Sequence, residues 1–584
     1  MRQYWLTRWW RRGAVVLTLV TFLGLALRSP AATATNSARP NIIMILADDL
    51  GYSDLGCYGS EIATPNLDKM AAGGLQMTQF YTTPRCCPTR AALLTGLYPQ
   101  QAGIGEMMEN REIPGYRGEL GHDCLTMAEE LKLAGYHTLM LGKWHVCHIA
   151  FDGKNQLNHD SQAPFWDAKA DWPLQRGFEE YYGTIHGVCS YFDPFSLVQG
   201  NDPIYSAPPT NFYYTDVLAE HAVADIDQYA HTDKPFFLYM AFTAPHWPLM
   251  APEADIAKYR ERYRAGWDTI RTNRYQRQIQ LGIVDPAWPM SPRDPRVPAW
   301  TAVKDQAWEA NRMATYAAMV EHLDRGVGRI MDELKRQGID RNTLVVFMSD
   351  NGGCAEAVQP NWYDVPSRTR AGTPVTVGNN HHDVLAGPVN VWQSYGLPWA
   401  NVSDTPFLLY KHFTHEGGIA IPFLAHWPAV IPEHVLSKQV GHVTDLMATF
   451  VDVAGTEHPA TYDGHPIPPL EGHSLRPILE GQVRNLTTPL FWEHEGNRAV
   501  RLGKWKLVAE YRQDWQLYDA EADRTEQNNL AATHPDLVKA LAALYAQWAK
   551  RCQVLPPNQL PPVHRTVPAA DASVTPAPTP AKSS

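Results

Sequence analysis

Cysteine is scarce in this sequence, and its spacing excludes the usual small metal and redox modules. The eight cysteines are Cys57, Cys86, Cys87, Cys124, Cys147, Cys189, Cys354 and Cys552. None form a C-x-x-C pair, so neither a zinc ribbon nor a thioredoxin-like site is expected. Eight in 584 residues are too few for a disulfide scaffold, and the sequence does not decide whether one or two disulfides form. Positive charge is also in deficit, with 50 Lys and Arg against 61 Asp and Glu and a net charge of -11. That balance argues against a nucleic-acid partner. An anionic ligand would need a local positive pocket, because the global field does not attract it. Internal repeats are absent. Long apolar runs are absent too, apart from Ala14 to Leu27. That run follows Arg2, Arg8, Arg11 and Arg12 and precedes Ala32-Thr33-Ala34. It is short for a membrane span and reads as a signal peptide over residues 1–34. The expectation is export by the Sec or twin-arginine route to the periplasm or medium, with no stable membrane span after cleavage. Cleavage removes five arginines and no acid, which makes the remaining chain more negative still.

What is abundant is aromatic and apolar. The 19 Trp, 26 Tyr and 46 Pro suit an enzyme with long aromatic-lined loops. Strand and helix patterns alternate. Asn41 to Ala47 is a continuous apolar run of the kind found in strands buried on both faces. Leu125 to Ala134 reads as a helix stopped by Gly135. Thr138 to Leu141, Phe236 to Phe242, Leu344 to Met348 and Ile419 to Ala425 read as further strands, and Met313 to Gln337 as a helix. This alternation predicts a three-layer α/β fold, a large, mostly parallel sheet sandwiched by helices. Residues 250–312 read as an excursion from the sheet, and residues 355–405 as a long loop lining a site. From residue 488 short strands at 490–493, 497–502, 505–510 and 515–519 and a helix at 535–550 predict a smaller α+β subdomain with an antiparallel sheet. The expected domains are therefore 38–487 (catalytic) and 488–552, followed by a disordered Pro- and Ala-rich tail at 553–584.

Ligands in open parallel sheets bind beyond the carboxyl ends of the strands. Four predicted strands are followed there by polar residues: Asp48 and Asp49, Lys143 and His145, His246, and Asp350 and Asn351. The three carboxylates and the amide are hard oxygen ligands, suited to Ca²⁺ or Mg²⁺ rather than zinc. Any single Asp could merely cap a turn, but the set on successive strand ends points to a metal. Beside such a site Lys143 and His145 read as an anion clamp, and His246, held between Pro245 and Trp247, suits proton transfer. Lys411 precedes the strand at Ile419 and would arrive near a sheet edge.

The stretch Cys86-Cys87-Pro88-Thr89-Arg90 continues to Leu93-Leu94-Thr95-Gly96. It resembles the sulfatase signature, Cys-x-Pro-Ser/Thr/Ala-Arg followed by x-x-Leu-x-Thr-Gly. Arg39-Pro40-Asn41 with Asp48-Asp49-Leu50-Gly51, Gly142-Lys143-Trp144-His145, Asp350-Asn351-Gly352-Gly353 and the segment from Thr405 to Gly418 resemble further elements of that family. Lys258-Tyr259, Gly266-Trp267-Asp268 and Phe491-Trp492-Glu493-His494 direct the resemblance to bacterial arylsulfatases. Thr89 departs from the more usual Ser or Ala, and the spacing to Pro88 and Arg90 selects Cys86 over Cys87.

The resemblance implies an alkaline-phosphatase-like fold and hydrolysis of a sulfate ester. It implies that a formylglycine-generating maturation enzyme oxidises Cys86 to formylglycine (3-oxoalanine), and that one Ca²⁺, with Mg²⁺ second, is held by Asp48, Asp49, Asp350, Asn351 and residue 86. It further implies that Arg90 holds the hydrated aldehyde and Asp350 takes a proton from its attacking hydroxyl. Lys143, Lys411 and His246 would contact sulfate or the leaving oxygen, and His145 would take the second hydroxyl's proton. Residue 86 is expected just before a helix begun by Pro88, whose free N–H groups favour an anion. Two competing readings are a formylglycine-dependent phosphonate monoester or phosphodiester hydrolase and a non-catalytic binder of sulfated glycans.

Overall fold

The structure is a computed structural model that describes residues 39–147, 171–360, 362 and 365–562. The expected signal peptide and most of the expected tail lie outside these residues. Among the described residues no helix is long and apolar enough to cross a membrane, and all eight cysteines are free thiols.

Ten strands form one sheet. From edge to edge they are Val435–His442, Leu75–Tyr81, Ala420–His426, Thr343–Ser349, Asn41–Ala47, Phe236–Ala241, His137–Gly142, Glu180–Thr184, Leu197–Gln199 and Asp202–Pro203. The centre is parallel: Ala47 pairs Ser349, Leu46 pairs Ala241 and Gly142 pairs Ala241. The apolar run at Asn41–Ala47 has its physical reason here. Ile43, Ile45 and Ala47 enter one core with Leu218, Tyr316, Val320 and Leu323. Ile42, Met44 and Leu46 enter the other with Ala91, Leu94, Leu131 and Phe450. Helices therefore cover both faces, as a strand without a polar face requires.

The alternating strand Leu75–Tyr81 and the edge strand Val435–His442 were not anticipated. Ala420–His426 runs antiparallel to both its neighbours. The helix expected from Met313 begins at Gln306, where its first turn packs on the loop, with Trp399 Nε1 donating to Glu309 O. The excursion at 250–312 carries the helices Glu253–Ala257, Arg260–Tyr263 and Gly266–Gln280. The long loop contains a helix, Gly396–Ser403.

The C-terminal segment forms the antiparallel sheet Leu490–His494, Asn497–Leu502, Trp505–Ala509 and Gln516–Asp519, covered by the helix Pro535–Arg551. Phe491 and Trp548 stack at 5.0 Å between them. The tail does not begin as disordered chain at 553: Leu555 N donates to Tyr116 Oη at 2.9 Å and Arg111 donates to Pro561 O at 2.7 Å. These bonds satisfy backbone groups and hold the first ten tail residues.

The two sheets are joined through a buried ion cluster. Glu416 accepts from Lys506 at 2.9 Å, Arg524 at 2.7 Å and Tyr81 at 2.9 Å, and Lys506 also pairs Glu526 at 2.8 Å. Lys506→Met is expected to leave two buried glutamates facing each other and to destabilise by about 3–5 kcal/mol. The urea midpoint checks this, and an unchanged midpoint would refute it.

Candidate active site

The parallel centre of the sheet delivers its polar residues to one edge. Asp48, Asp49, Asp350, Asn351, Lys143 and His246 follow adjacent strands, as expected, and all are buried. Asp49 N donates to Asp350 Oδ1 at 3.2 Å, and Asn351 Nδ2 donates to Asp49 Oδ1 at 2.7 Å. Lys143 pairs with Asp48. Arg90 bridges Asp350 at 3.0 Å and Asp48 at 3.5 Å, and donates to Lys143 O at 3.0 Å.

Lys411 reaches the same edge for a different reason. Because Ala420–His426 is reversed, its entry lies where its neighbours exit. Lys411 Nζ is 2.9 Å from Asp49 Oδ1, and His246 Nε2 is 3.3 Å from Asp49 Oδ2. Cys86 comes from the unanticipated strand Leu75–Tyr81, which also exits here. It is the first residue of the helix Cys86–Thr95, with Pro88 inside the first turn. Pro88 lies in the first turn as expected, and residue 86, expected just before the helix, is its first residue, so the helix's free N–H groups lie at residue 86 itself.

His145 and the two cysteines at 86 and 87 bring their ligand atoms within 4.8 Å of one another. His145 and Asp49 are both held at positive φ, 58° and 63°, a strain that persists only where surroundings impose it. Gly187 makes room for the imidazole: a Cβ there would meet His145 Nε2 at 2.2 Å.

Electrostatics separates these groups. Burial pushes His145 down to about 3 and His246 down to about 4, so both are neutral bases near pH 7. Burial, reinforced by Asp48, pushes Asp350 well above the usual carboxylate range. Burial also raises Asp48 despite Lys143. Asp49 is buried as well, but Lys411 and His246 hold it below its ordinary value. The Cys86 thiol lies well below its ordinary range because Cys87 hydrogen-bonds to it and Lys143 stands nearby, which together outweigh burial.

Three buried carboxylates on one another's doorstep call for a cation. Asp48 Oδ1 and Asn351 Oδ1 are buried without any hydrogen-bond partner. An orphaned carboxylate oxygen and an orphaned amide oxygen beside two more carboxylates fit a hard divalent ion.

A cavity of about 200 Å³ opens over this edge, lined by Cys86, His145, His246 and Lys411 together with Arg85, Trp247 and Glu356. The lining thus combines two cations, Arg85 and Lys411, with the imidazoles of His145 and His246 and the Cys86 thiol. The family model for sulfatases matches residues 40–456. The chain belongs to the sulfatase family.

A second family description, N-sulphoglucosamine sulphohydrolase, C-terminal, matches residues 407–551. The sulfatase is 34% identical over 539 residues to an uncharacterized sulfatase of Schizosaccharomyces pombe, covering 86% of this chain and 92% of the relative. It is 33% identical to an arylsulfatase of Klebsiella aerogenes, covering 78% and 95%. A crystal structure of Ps i-CgsB in complex with k-i-k-neocarrahexaose superposes with a TM-score of 0.62 at 26% identity, covering 90% of this chain and 95% of that one. This sulfatase is accordingly a sulfuric ester hydrolase with the alkaline-phosphatase-like fold.

Sequence reasoning missed part of the sulfatase's pocket wall. Glu356, Arg85, Trp247 and Trp362 line the cavity, and Trp247 and Trp362 lie 5.4 Å apart. The one signal was the loop from residue 355, whose second residue is Glu356.

Proposed function

We propose that this sulfatase cleaves arylsulfatase-type sulfate monoesters with Cys86 oxidised to formylglycine and a Ca²⁺ held by Asp48, Asp49, Asp350 and Asn351. The observation that carries the reading is the pair of orphaned oxygens of Asp48 and Asn351 on the same edge as a cysteine at a helix N-terminus. When present, the hydrated aldehyde would supply two hydroxyls, one to attack sulfur and one to expel sulfate, and a cation held by Asp48, Asp49, Asp350 and Asn351 would supply positive charge to offset the charge that develops.

The chain's own residues do the rest. Arg90 is fixed between Asp350, Asp48 and the Lys143 carbonyl, so its charge is preorganised. Lys143 and Lys411 present ammonium groups to the anion. His246 accepts at Nε2, its Nδ1 lying 2.6 Å from Trp247 O. That contact fixes the tautomer with the proton on Nδ1 until substrate binds. Neutral His145 takes a proton at a ring nitrogen, and Asp350 takes one at a carboxylate oxygen. Burial of every one of these groups excludes water and strengthens their fields. Export to the periplasm or medium, with maturation by a formylglycine-generating enzyme, completes the proposal.

His246→Ala and Lys411→Ala are each expected to lower kcat by about 10²–10³-fold. Matched 4-nitrophenyl sulfate and phenylphosphonate esters test the substrate class. Faster sulfate turnover is expected, and a preference for phosphonate by orders of magnitude would refute it.

A further inference from the structure

We propose that Glu356 is a specificity-determining residue of the anion pocket: its fixed negative charge favours singly charged esters over doubly charged ones. The inference rests on the sulfate-ester reading and names a charge rule for that site.

Glu356 sits on the cavity wall with Cys86 and Lys411. A carboxylate in a pocket built for an anion needs a reason. Direct hydrogen bonding to substrate is not that reason, because its oxygens are already engaged. Oε1 lies 2.8 Å from Arg85 Nη1 and 3.1 Å from His412 Nε2. Oε2 accepts from Trp247 Nε1 at 3.0 Å and from the Cys354 thiol at 3.4 Å, and lies 3.7 Å from Lys411 Nζ. Five groups from four chain segments therefore fix one carboxylate in place. Burial opposes its ionisation, but Arg85 and Lys411 hold it well below the ordinary carboxylate range. What it offers the pocket is charge that cannot swing away.

The charges around Cys86 show what that does. On the wall beside Cys86, Arg85 and Lys411 stand against Glu356, and Glu109 also lines the cavity. Burial keeps His145 and His246 neutral. Without Glu356 the wall beside Lys411 would gain a full positive charge. A sulfate monoester carries one negative charge. A phosphate monoester carries nearly two once its second proton, with a pKa of about 6, has left. Each additional negative charge on the ligand meets Glu356 in a poorly screened pocket, so the penalty falls on the dianion.

The test uses the matured enzyme with 4-nitrophenyl sulfate, 4-nitrophenyl phosphate and the singly charged 4-nitrophenyl phenylphosphonate. Glu356→Gln is expected to raise kcat/KM for phosphate relative to sulfate by tenfold or more at pH 8. The phosphonate-to-sulfate ratio should stay constant. Glu356→Asp, which keeps the charge, should keep both ratios even if overall rates fall. Arg85→Gln removes the nearest cation from Glu356 and should move the phosphate-to-sulfate ratio the opposite way. It serves alone if Glu356→Gln does not fold. A phosphate-to-sulfate ratio that stays constant, or moves together with the phosphonate ratio, overturns the proposal. Failure of the sulfate reading itself would look different: the unmutated, matured enzyme would not turn over 4-nitrophenyl sulfate.

Discussion

Cys86→Ala is expected to yield a folded protein whose sulfate-ester turnover is lower by about 10⁶-fold, the order seen when a covalent nucleophile is deleted from a hydrolase. Position 86 joins several of the pocket's parts. It opens the helix Cys86–Thr95 and lines the cavity. His145 stands within 4.8 Å, and Arg90 follows one helical turn later on the same helix. Alanine keeps the helix and the pocket but supplies no group to attack sulfur. Cys87→Ala is the informative companion. Cys87 hydrogen-bonds to the Cys86 thiol and lies 3.5 Å from Met107 Sδ, but it is not the motif position selected by Pro88 and Arg90, and its loss should cost far less. Steady-state kinetics on 4-nitrophenyl sulfate would measure both, with peptide mass spectrometry across residues 86–90 of the unmutated chain. Full activity in Cys86→Ala, or an unaltered thiol at 86 in fully active enzyme, would end the formylglycine proposal.

Stripping divalent cations with a chelator is the second large effect expected: activity should vanish, and Ca²⁺ should restore it better than Mg²⁺. Stability should follow. An ion binding only the folded state at 100 times its Kd adds about 2.7 kcal/mol. The pH dependence carries a definite sign. In the cation-free protein, Asp350 and Asp48 sit above the ordinary value of 3.8, so the folded state binds their protons more tightly than the unfolded chain does. Their contribution favours the fold at low pH and is lost as pH rises from that ordinary value through the raised ones. Asp49, held below 3.8, contributes above that value and loses its contribution as pH falls. Cation binding needs all three ionised, so the Ca²⁺ increment in unfolding temperature should grow as pH rises out of the carboxylate range. Thermal unfolding with EGTA and with Ca²⁺ across that range measures it. An increment that shrinks with rising pH would remove the cation from this edge.

Much of the site was legible before any fold was known. The strands that carry it are apolar on both faces, so each reads as an unbroken run, and the first polar residues after it stand out. That is why Asp48, Asp49, Lys143, His145, His246, Asp350 and Asn351 could be named together. Cys86 and Arg90 were legible from a local motif. Less visible were features whose residues alternate or are locally polar. Leu75–Tyr81 presents Gln76 and Gln79 among its apolar residues, a weak signal for a strand, and it lies next to the edge of the sheet. Glu356 had no local signature, because its role comes from Arg85, Trp247, His412 and Lys411, which lie far from it along the chain.

The sequence by itself determined which groups the chain carries: a cysteine in its motif, carboxylates and an amide, and cationic partners at strand ends. These follow from residue type and short-range spacing. Only the tertiary structure decided how they meet. The reversal of Ala420–His426 turned Lys411 onto Asp49, and the exit of Leu75–Tyr81 set Cys86 over the same edge. Strand order and direction are settled by burying two apolar faces at once, a balance among segments hundreds of residues apart that no local pattern records.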